Sequence, residues 1–336
     1  MNSLTATKPK LGFAGVGRTG KSRMRAIGES RLAEIWAAVD PDDRITSGIK
    51  QEIAGIRCYN SFEEMLDSDL DGIVIATPPG LHTRQALGAA RKGKAVFCQK
   101  PLGINRLETA EVVEAARTHN VLLGVDYSYR YTHAMQQIKE TIRSGSLGEI
   151  YAVHLAFHKA YGPDKPWYYD TGLSGGGCLI DLGSHLADLA LWVLGEIEVE
   201  VDEVSSTLFH KGEPLRDRSQ AEDNATAEFV LNGRIAVRLS CSWNLPTGKG
   251  AVIEARFCGE EGDAIFRNTD GSTCNFIAEK HTGTTTQTLS SLPDEWEGRA
   301  AVEWAKRLGN GNRFDPAAYA YTDVAGVIER IYGQAF

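Results

Sequence analysis

Leu11-Gly12-Phe13-Ala14-Gly15-Val16-Gly17-Arg18-Thr19-Gly20 places a short apolar run directly before a GxGxxG spacing, and a stretch with helical periodicity directly after it. Leu11–Val16 reads as a strand and Arg18–Glu29 as a helix. The chain has 35 glycines, so the spacing alone is a weak signal; its place between strand and helix strengthens it. In that context Gly15 permits a tight turn, Gly17 lets the backbone approach a pyrophosphate, and Gly20 lets the helix lie close on the strand. Arg18 and Thr19 occupy the first helical turn, where backbone N–H groups and the positive helix end favour an anion. The same logic calls for an acid about twenty residues on, ending the second strand. Asp40 stands there, after Ile35–Val39. Its carboxylate can accept from ribose hydroxyls and repels a 2′-phosphate, which favours NAD and leaves NADP less favoured, although Arg18 or Arg44 within reach of a phosphate would soften that preference.

Working outward, Gly72–Ala76, Ala95–Phe97 and Val121–Val125 read as further strands, with Ser61–Leu66, Leu81–Lys92 and Arg106–His119 as helices between them. Such alternation implies an α/β fold, a doubly wound Rossmann sheet. After about residue 127 the pattern changes. A helix is expected from Thr132 to Arg143 and a strand over Glu149–Phe157. From Glu196 strand-like segments then follow one another (Glu198–Phe209, Asn224–Leu231, Arg234–Ser242, Ala251–Phe257, Ala264–Arg267), with one helix near Leu182–Leu194. This predicts residues 1–126 as a nucleotide-binding domain. Residues 127–336 are expected to form an α+β domain with an open, mostly antiparallel sheet, its closing helix Pro316–Tyr332 able to pack back on the first domain.

A chain of 336 residues suits two such domains, and its hydrophobic share of 42% and charged share of 24% are ordinary for globular proteins. The net charge of −8 and the absence of basic blocks argue against nucleic-acid binding. The six cysteines have no CxxC pair, so no metal site is expected, and they read as free thiols. The opening residues MNSLTATKPK lack the apolar core of a secretory signal, and no apolar run approaches the length of a membrane span. A cytoplasmic location is the expectation.

Two further motifs lie at predicted strand ends, where ligands of doubly wound sheets sit. Ala76-Thr77-Pro78-Pro79 is followed by His82, which either caps the next helix or touches the cofactor. Cys98-Gln99-Lys100-Pro101 ends the next strand; its lysine could steady an ionising hydroxyl, or could be one more solvated surface lysine. Far away, Gly175-Gly176-Gly177-Cys178-Leu179-Ile180-Asp181-Leu182-Gly183-Ser184-His185 puts an acid and an imidazole four apart, on one face of a helix. A histidine poised near neutral pH can take a proton and a carboxylate can orient it. In isolation a helix-start acid and a satisfied core histidine would explain the pair as well.

Together GVGRTG, ATPPGLH, QKP and GGGCLIDLGSHLADLALWVLG resemble, in order and spacing, the glucose-fructose oxidoreductase, inositol dehydrogenase and rhizopine-catabolism (Gfo/Idh/MocA) family. The resemblance covers nearly the whole chain. It implies that Lys100, Asp181 and His185 are catalytic, with His185 as general acid/base; that Ala76, Thr77, Pro78, His82, Gln99 and Lys100 border the cofactor; and that Lys100-Pro101 is cis. Arg130 matches a frequent arginine of the family. The family glutamate is replaced by Gln99, which loses an anion beside Lys100. The expected reaction is oxidation of a secondary alcohol on a sugar, inositol or related polyol. His185 would take the hydroxyl proton while Lys100 steadies the oxygen and Asp181 orients the imidazole. Tyr161, Trp167, Tyr168, Tyr169 and Asp170 precede the glycine run and offer stacking faces and a carboxylate to a sugar, or else pack the second domain; Trp243 and Asn244 are open to either role. The resemblance also leaves open an NAD-dependent redox-assisted glycosidase, an NADPH-dependent keto-sugar reductase and a non-catalytic sensor. Family habit further implies a homodimer or homotetramer through the second sheet.

Overall fold

The computed structural model describes residues 8–195 and 199–334 and divides into two units. The first takes residues up to Gly103, Leu107–Ser128 and Glu297–Tyr321; the second takes Ile104–Arg106, Tyr129–Trp296 and the chain from Thr322 on.

The first unit is built on six parallel strands: β1 (Lys10–Ala14), β2 (Glu34–Val39), β3 (Arg57–Tyr59), β4 (Gly72–Ile75), β5 (Ala95–Cys98) and β6 (Leu123–Val125). Their order, β3-β2-β1-β4-β5-β6, reverses direction between β1 and β4, the position at which doubly wound sheets bind ligands. Strands covered on both faces need continuous apolar runs, and Phe13, Ile73 and Ile75 are fully buried. Helices α1 (Arg18–Ser30), α2 (Asp43–Glu52), α3 (Phe62–Leu66), α4 (His82–Arg91) and α5 (Arg106–Thr118) connect them. Helix α1 buries Gly20, Arg23, Met24 and Ile27, one stripe at helical spacing. Two elements were not anticipated in this stretch, α2 and β3. Asp42 caps α2 by accepting from the Arg44 N–H at 2.9 Å. A third, the helix Arg299–Gly309, belongs to this unit and sends Trp304 against Phe97, ring centroids 5.6 Å apart. A Cβ on Gly72 or on Gly124 would lie 2.9 Å from the Trp304 ring, so glycine at these two strand positions makes room for the indole.

The second unit holds a nine-stranded sheet: β7 (Ile150–Lys159), β8 (Val201–His210), β9 (Glu213–Pro214), β10 (Asn224–Leu231), β11 (Ile235–Ser242), β12 (Ala251–Gly259), β13 (Asp263–Asn268), β14 (Phe276–Thr282) and β15 (Thr285–Ser290). The order is β15-β14-β13-β12-β7-β11-β10-β8-β9; β11 pairs in parallel with β7 and the other neighbours are antiparallel. Asn232 and Gly233, with φ of 50° and 64°, form the tight turn between β10 and β11. Glu198, where a strand was expected to begin, lies outside the described residues, as do residues 1–7; the described strand starts at Val201. Helices α6 (His133–Arg143) and α8 (Ser184–Leu194) cover one face of the sheet, and a four-residue helix, α7 (Thr171–Ser174), precedes the glycine run. The closing helix is Tyr319–Gln334.

One expectation needs correcting. The helical stretch Thr171–Leu194 is long and apolar enough by composition to cross a membrane, yet 78% of its apolar window is buried inside the protein. The buried side chains of α8, from Leu186 to Val193, identify it as a core helix.

Candidate active site

In the first unit the glycine turn is held as its spacing requires. Gly15 has φ +78°, and a Cβ there would lie 2.7 Å from the Ala76 carbonyl oxygen. A Cβ on Gly20 would reach 2.0 Å from the Gly15 oxygen, so α1 can approach β1 only with glycine at that point. Gly17 is different. No protein atom lies within 4 Å of where its Cβ would be, and it starts α1 without any side-chain cap. Gly17, Arg18 and Thr19 are exposed. A bare helix start beside open space fits the pyrophosphate of a dinucleotide.

Asp40 is built into this turn. One carboxylate oxygen accepts from the Val16 N–H at 2.9 Å and the other from the Asp42 N–H at 3.0 Å, each keeping a lone pair for a ribose hydroxyl. Arg44, which could have favoured a 2′-phosphate, pairs with Asp42 through two hydrogen bonds of 2.9 and 2.7 Å.

After β4, the Ala76 N–H donates to the Ala14 carbonyl, Thr77 donates to Gln85, and Pro78 leads into a 3-10 turn over Pro79–Leu81. His82 neither caps α4 nor faces outward. It is 1% exposed, and its Nδ1 and Nε2 lie 2.7 Å from the carbonyl oxygens of Pro101 and Thr77. Burial lowers its pKa. His82 therefore ties the loop after β4 to the loop after β5, and Lys100, which precedes a cis bond to Pro101, stands on the second of these loops. Gln99 gives its amide to Asp126, a buried acid beyond β6 that also receives Arg23 Nε at 2.5 Å.

The second unit carries the other motif. Asp181 and His185 do not sit on one continuous α-helix: Leu179–Gly183 is a π-helical turn, and α8 starts at Ser184. Wide turns of this kind interrupt α-helices frequently at functional sites. The Trp243 Nε1 donates to Asp181 Oδ2 at 3.1 Å. The His185 ring lies 4.9 Å from Tyr129 and 6.5 Å from Phe157, so aromatic faces fix its plane.

What holds this segment in place was invisible to sequence reasoning. Glu222, 2% exposed, accepts from the Gly177 N–H at 3.0 Å, the Leu179 N–H at 2.8 Å and the Tyr332 hydroxyl at 2.8 Å. The glycine run exists for the closeness of this packing. A Cβ on Gly176 would fall 2.1 Å from Tyr332 Oη, and one on Gly177 would fall 1.9 Å from the Glu222 carbonyl oxygen. Cys178 and Cys241 are buried free thiols beside it, their sulfurs 3.9 Å apart, and burial raises the Cys178 pKa.

The proposed substrate contacts separate into two groups. Trp167 stacks on Tyr168 at 3.8 Å, and Tyr168 and Tyr169 present edges to Trp243 at 6.2 and 5.6 Å, so these rings form a wall leading to Asp181. Asn244 anchors the start of that loop by accepting from the Gly162 N–H at 2.7 Å. Tyr161 is 77% exposed. Asp170 caps α7 through the Gly172 N–H, and Arg130 holds the buried Asp188 through Nε and Nη2.

A glycine turn, a ribose-type acid and a doubly wound sheet, with an acid–imidazole pair on a braced segment of a second unit, define a dinucleotide-dependent enzyme. Comparison with known proteins narrows this. A family profile described as "Oxidoreductase family, NAD-binding Rossmann fold" matches residues 10–127, and one described as "GFO/IDH/MocA C-terminal domain" matches residues 135–265. The rhizopine catabolism protein MocA of Rhizobium meliloti is 30% identical over 270 residues, 78% of this chain and 83% of that protein. Myo-inositol 2-dehydrogenase of Thermotoga maritima is 24% identical over 225 residues, 66% of this chain and 64% of that protein. The structure of levoglucosan dehydrogenase in complex with NADH and L-sorbose shares the fold, with a TM-score of 0.84 at 19% identity over 98% of this chain and 97% of that one. The chain belongs to the Gfo/Idh/MocA family and is an NAD-binding oxidoreductase.

Proposed function

We propose that the protein oxidises a secondary alcohol of a sugar, inositol or related polyol, with His185 as general base. The observation that carries this reading is the fixed acid four residues before it: Asp181 is held by the Trp243 indole on a π-turn braced by Glu222, which is support that a surface acid does not need. Bound NAD supplies the hydride acceptor. The protein's own part is to place and to deprotonate. His185 takes the hydroxyl proton, and Asp181 orients the imidazole and favours its charged form. Lys100, on the loop tied down by His82, balances negative charge developing on the substrate oxygen. The ring wall of Trp167, Tyr168 and Tyr169 gives a polyhydroxylated ring an apolar face to stack on. Relatives named for inositol, levoglucosan and glucose 6-phosphate dehydrogenation support this substrate class.

The test is a panel of sugars and polyols with NAD and NADP, followed by NADH absorbance. Turnover with NAD and a polyol that falls about a thousandfold in His185→Ala supports the reading, in line with the usual weight of a general base. Full activity in that variant removes the assignment of the base. Release of an aglycone without net NADH would turn the proposal toward glycoside cleavage. The proposal includes self-association through the outer face of the second sheet, where Ser205, Thr207, Thr226 and Ser240 line a shallow furrow; a monomer by sedimentation velocity at working concentration would remove that part.

A further inference from the structure

Gln99 sits at the carboxyl end of β5, on the sheet edge that faces ligands in this fold, and its amide nitrogen is spent on Asp126. Asp126 follows β6, is 1% exposed, and donates its own N–H to the Cys98 carbonyl at 2.8 Å, which holds it beside Gln99. Its Oδ2 receives both the Gln99 amide and Arg23 Nε, while Oδ1 is buried with no hydrogen-bond partner. An ionised carboxylate only accepts, so the edge of the Gln99 amide turned to it must be the NH2 group. The carbonyl Oε1 is then what Gln99 offers outward. Arg23 stands on α1, the helix opened by the glycine turn. Three segments bounding the dinucleotide edge (α1, the end of β5 and the end of β6) thus meet in one cluster with one cation, one anion and one neutral amide.

We infer that Asp126, acting through Gln99, is a positioning residue of the NAD site: the anion of this corner resides at position 126, and position 99 presents a neutral carbonyl to the cofactor. This rests on the assignment of NAD to this sheet edge. A glutamate at position 99 would set a second carboxylate at hydrogen-bond distance from Asp126, whose Oδ2 already takes the Arg23 guanidinium. Two acids so placed do not both ionise near neutral pH. Glutamine at 99 and aspartate at 126 are therefore one choice, a charge exchanged between neighbouring positions.

The experiment measures NAD dissociation constants by calorimetry between pH 5.5 and 8.5, for the parent protein, Gln99→Glu and the double variant Gln99→Glu/Asp126→Asn. The parent should bind with little pH dependence. Gln99→Glu should bind about tenfold more weakly at pH 8 and recover toward pH 5.5 as the two acids come to share a proton. The double variant restores one acid and one amide and should return to within about threefold of the parent, with a flat profile. Parent-like, pH-independent binding by Gln99→Glu overturns the inference, and so does a double variant no better than the single one. Where Gln99→Glu does not fold, the double variant decides alone: near-parent binding upholds the exchange and lost binding overturns it. A parent protein that binds no NAD overturns the cofactor assignment and this inference with it, an outcome distinct from a parent that binds while Gln99→Glu stays flat.

Discussion

The Tyr332 hydroxyl donates a 2.8 Å hydrogen bond to Glu222, a residue 110 positions earlier, and that carboxylate carries the backbone of the glycine run in front of Asp181. The closing helix is thereby part of the frame of the acid–imidazole segment. Tyr332→Phe removes one bond and leaves the packing. Its expected cost is about 1 to 2 kcal/mol of stability, read by urea denaturation. Glu222→Ala strands two buried N–H groups and a hydroxyl, and is expected to cost more than about 3 kcal/mol and to abolish turnover before the fold is lost. Equal stability of Glu222→Ala and parent would remove the bracing role.

Two glycines of the dinucleotide turn should respond oppositely to alanine. Gly17→Ala meets no protein atom, so its melting temperature should match the parent while NAD binding weakens by about tenfold or more. Gly20→Ala places a methyl 2.0 Å from the Gly15 oxygen and should lower the melting temperature as well. Calorimetry for binding and differential scanning for stability separate the two effects.

Trp243→Phe keeps a ring against Tyr168 and Tyr169 but deletes the donor to Asp181. The expected result is a fall of about tenfold in kcat with KM for the alcohol little changed, since one hydrogen bond to a charged group is worth roughly 1.5 to 3 kcal/mol. A change confined to KM would assign the indole to substrate contact instead.

Asp188 supplies a pH test. Burial raises its carboxyl to about 6, against the pull of Arg130, from an ordinary value of 3.8. Below pH 4 both folded and unfolded chains hold this proton. Between about 4 and 6 the folded chain keeps a proton that the unfolded chain releases, so this site's contribution to stability declines as pH rises and levels off above about 6. Asp188→Asn removes that titration. The difference in melting temperature between parent and variant should therefore vary from pH 4 to 6 and be constant from 6.5 to 8; a constant difference throughout would refute the shifted carboxyl.

The parts of the fold that could be read from the sequence are those where one physical constraint dominates. Parallel strands buried on both faces show as unbroken apolar runs, and the glycine turn shows as a spacing bounded by strand and helix. Helix α2 escaped notice because Ile45 and Ile49 are nearly its whole apolar face, and the helix Arg299–Gly309 because three of its four buried residues are small alanines. Asp181 and His185 were visible as a motif, but their geometry was not, because a π-turn differs from an α-turn by a single residue. Glu222, Tyr332, Asp126 and Arg23 had no local signal at all. Each is a polar group made necessary by a partner distant in the chain, and polar residues carry no periodicity that reveals such pairing.

Asp40 anchors Val16 and Asp42 through its two oxygens, so the acid proposed to face the adenine ribose is also a strut of the turn below it. Retargeting the enzyme toward the phosphorylated dinucleotide therefore cannot be a matter of erasing one charge. Any serine or arginine installed there inherits two amides that must be satisfied, and redesign has to begin with new acceptors for Val16 and Asp42 before a phosphate pocket is attempted.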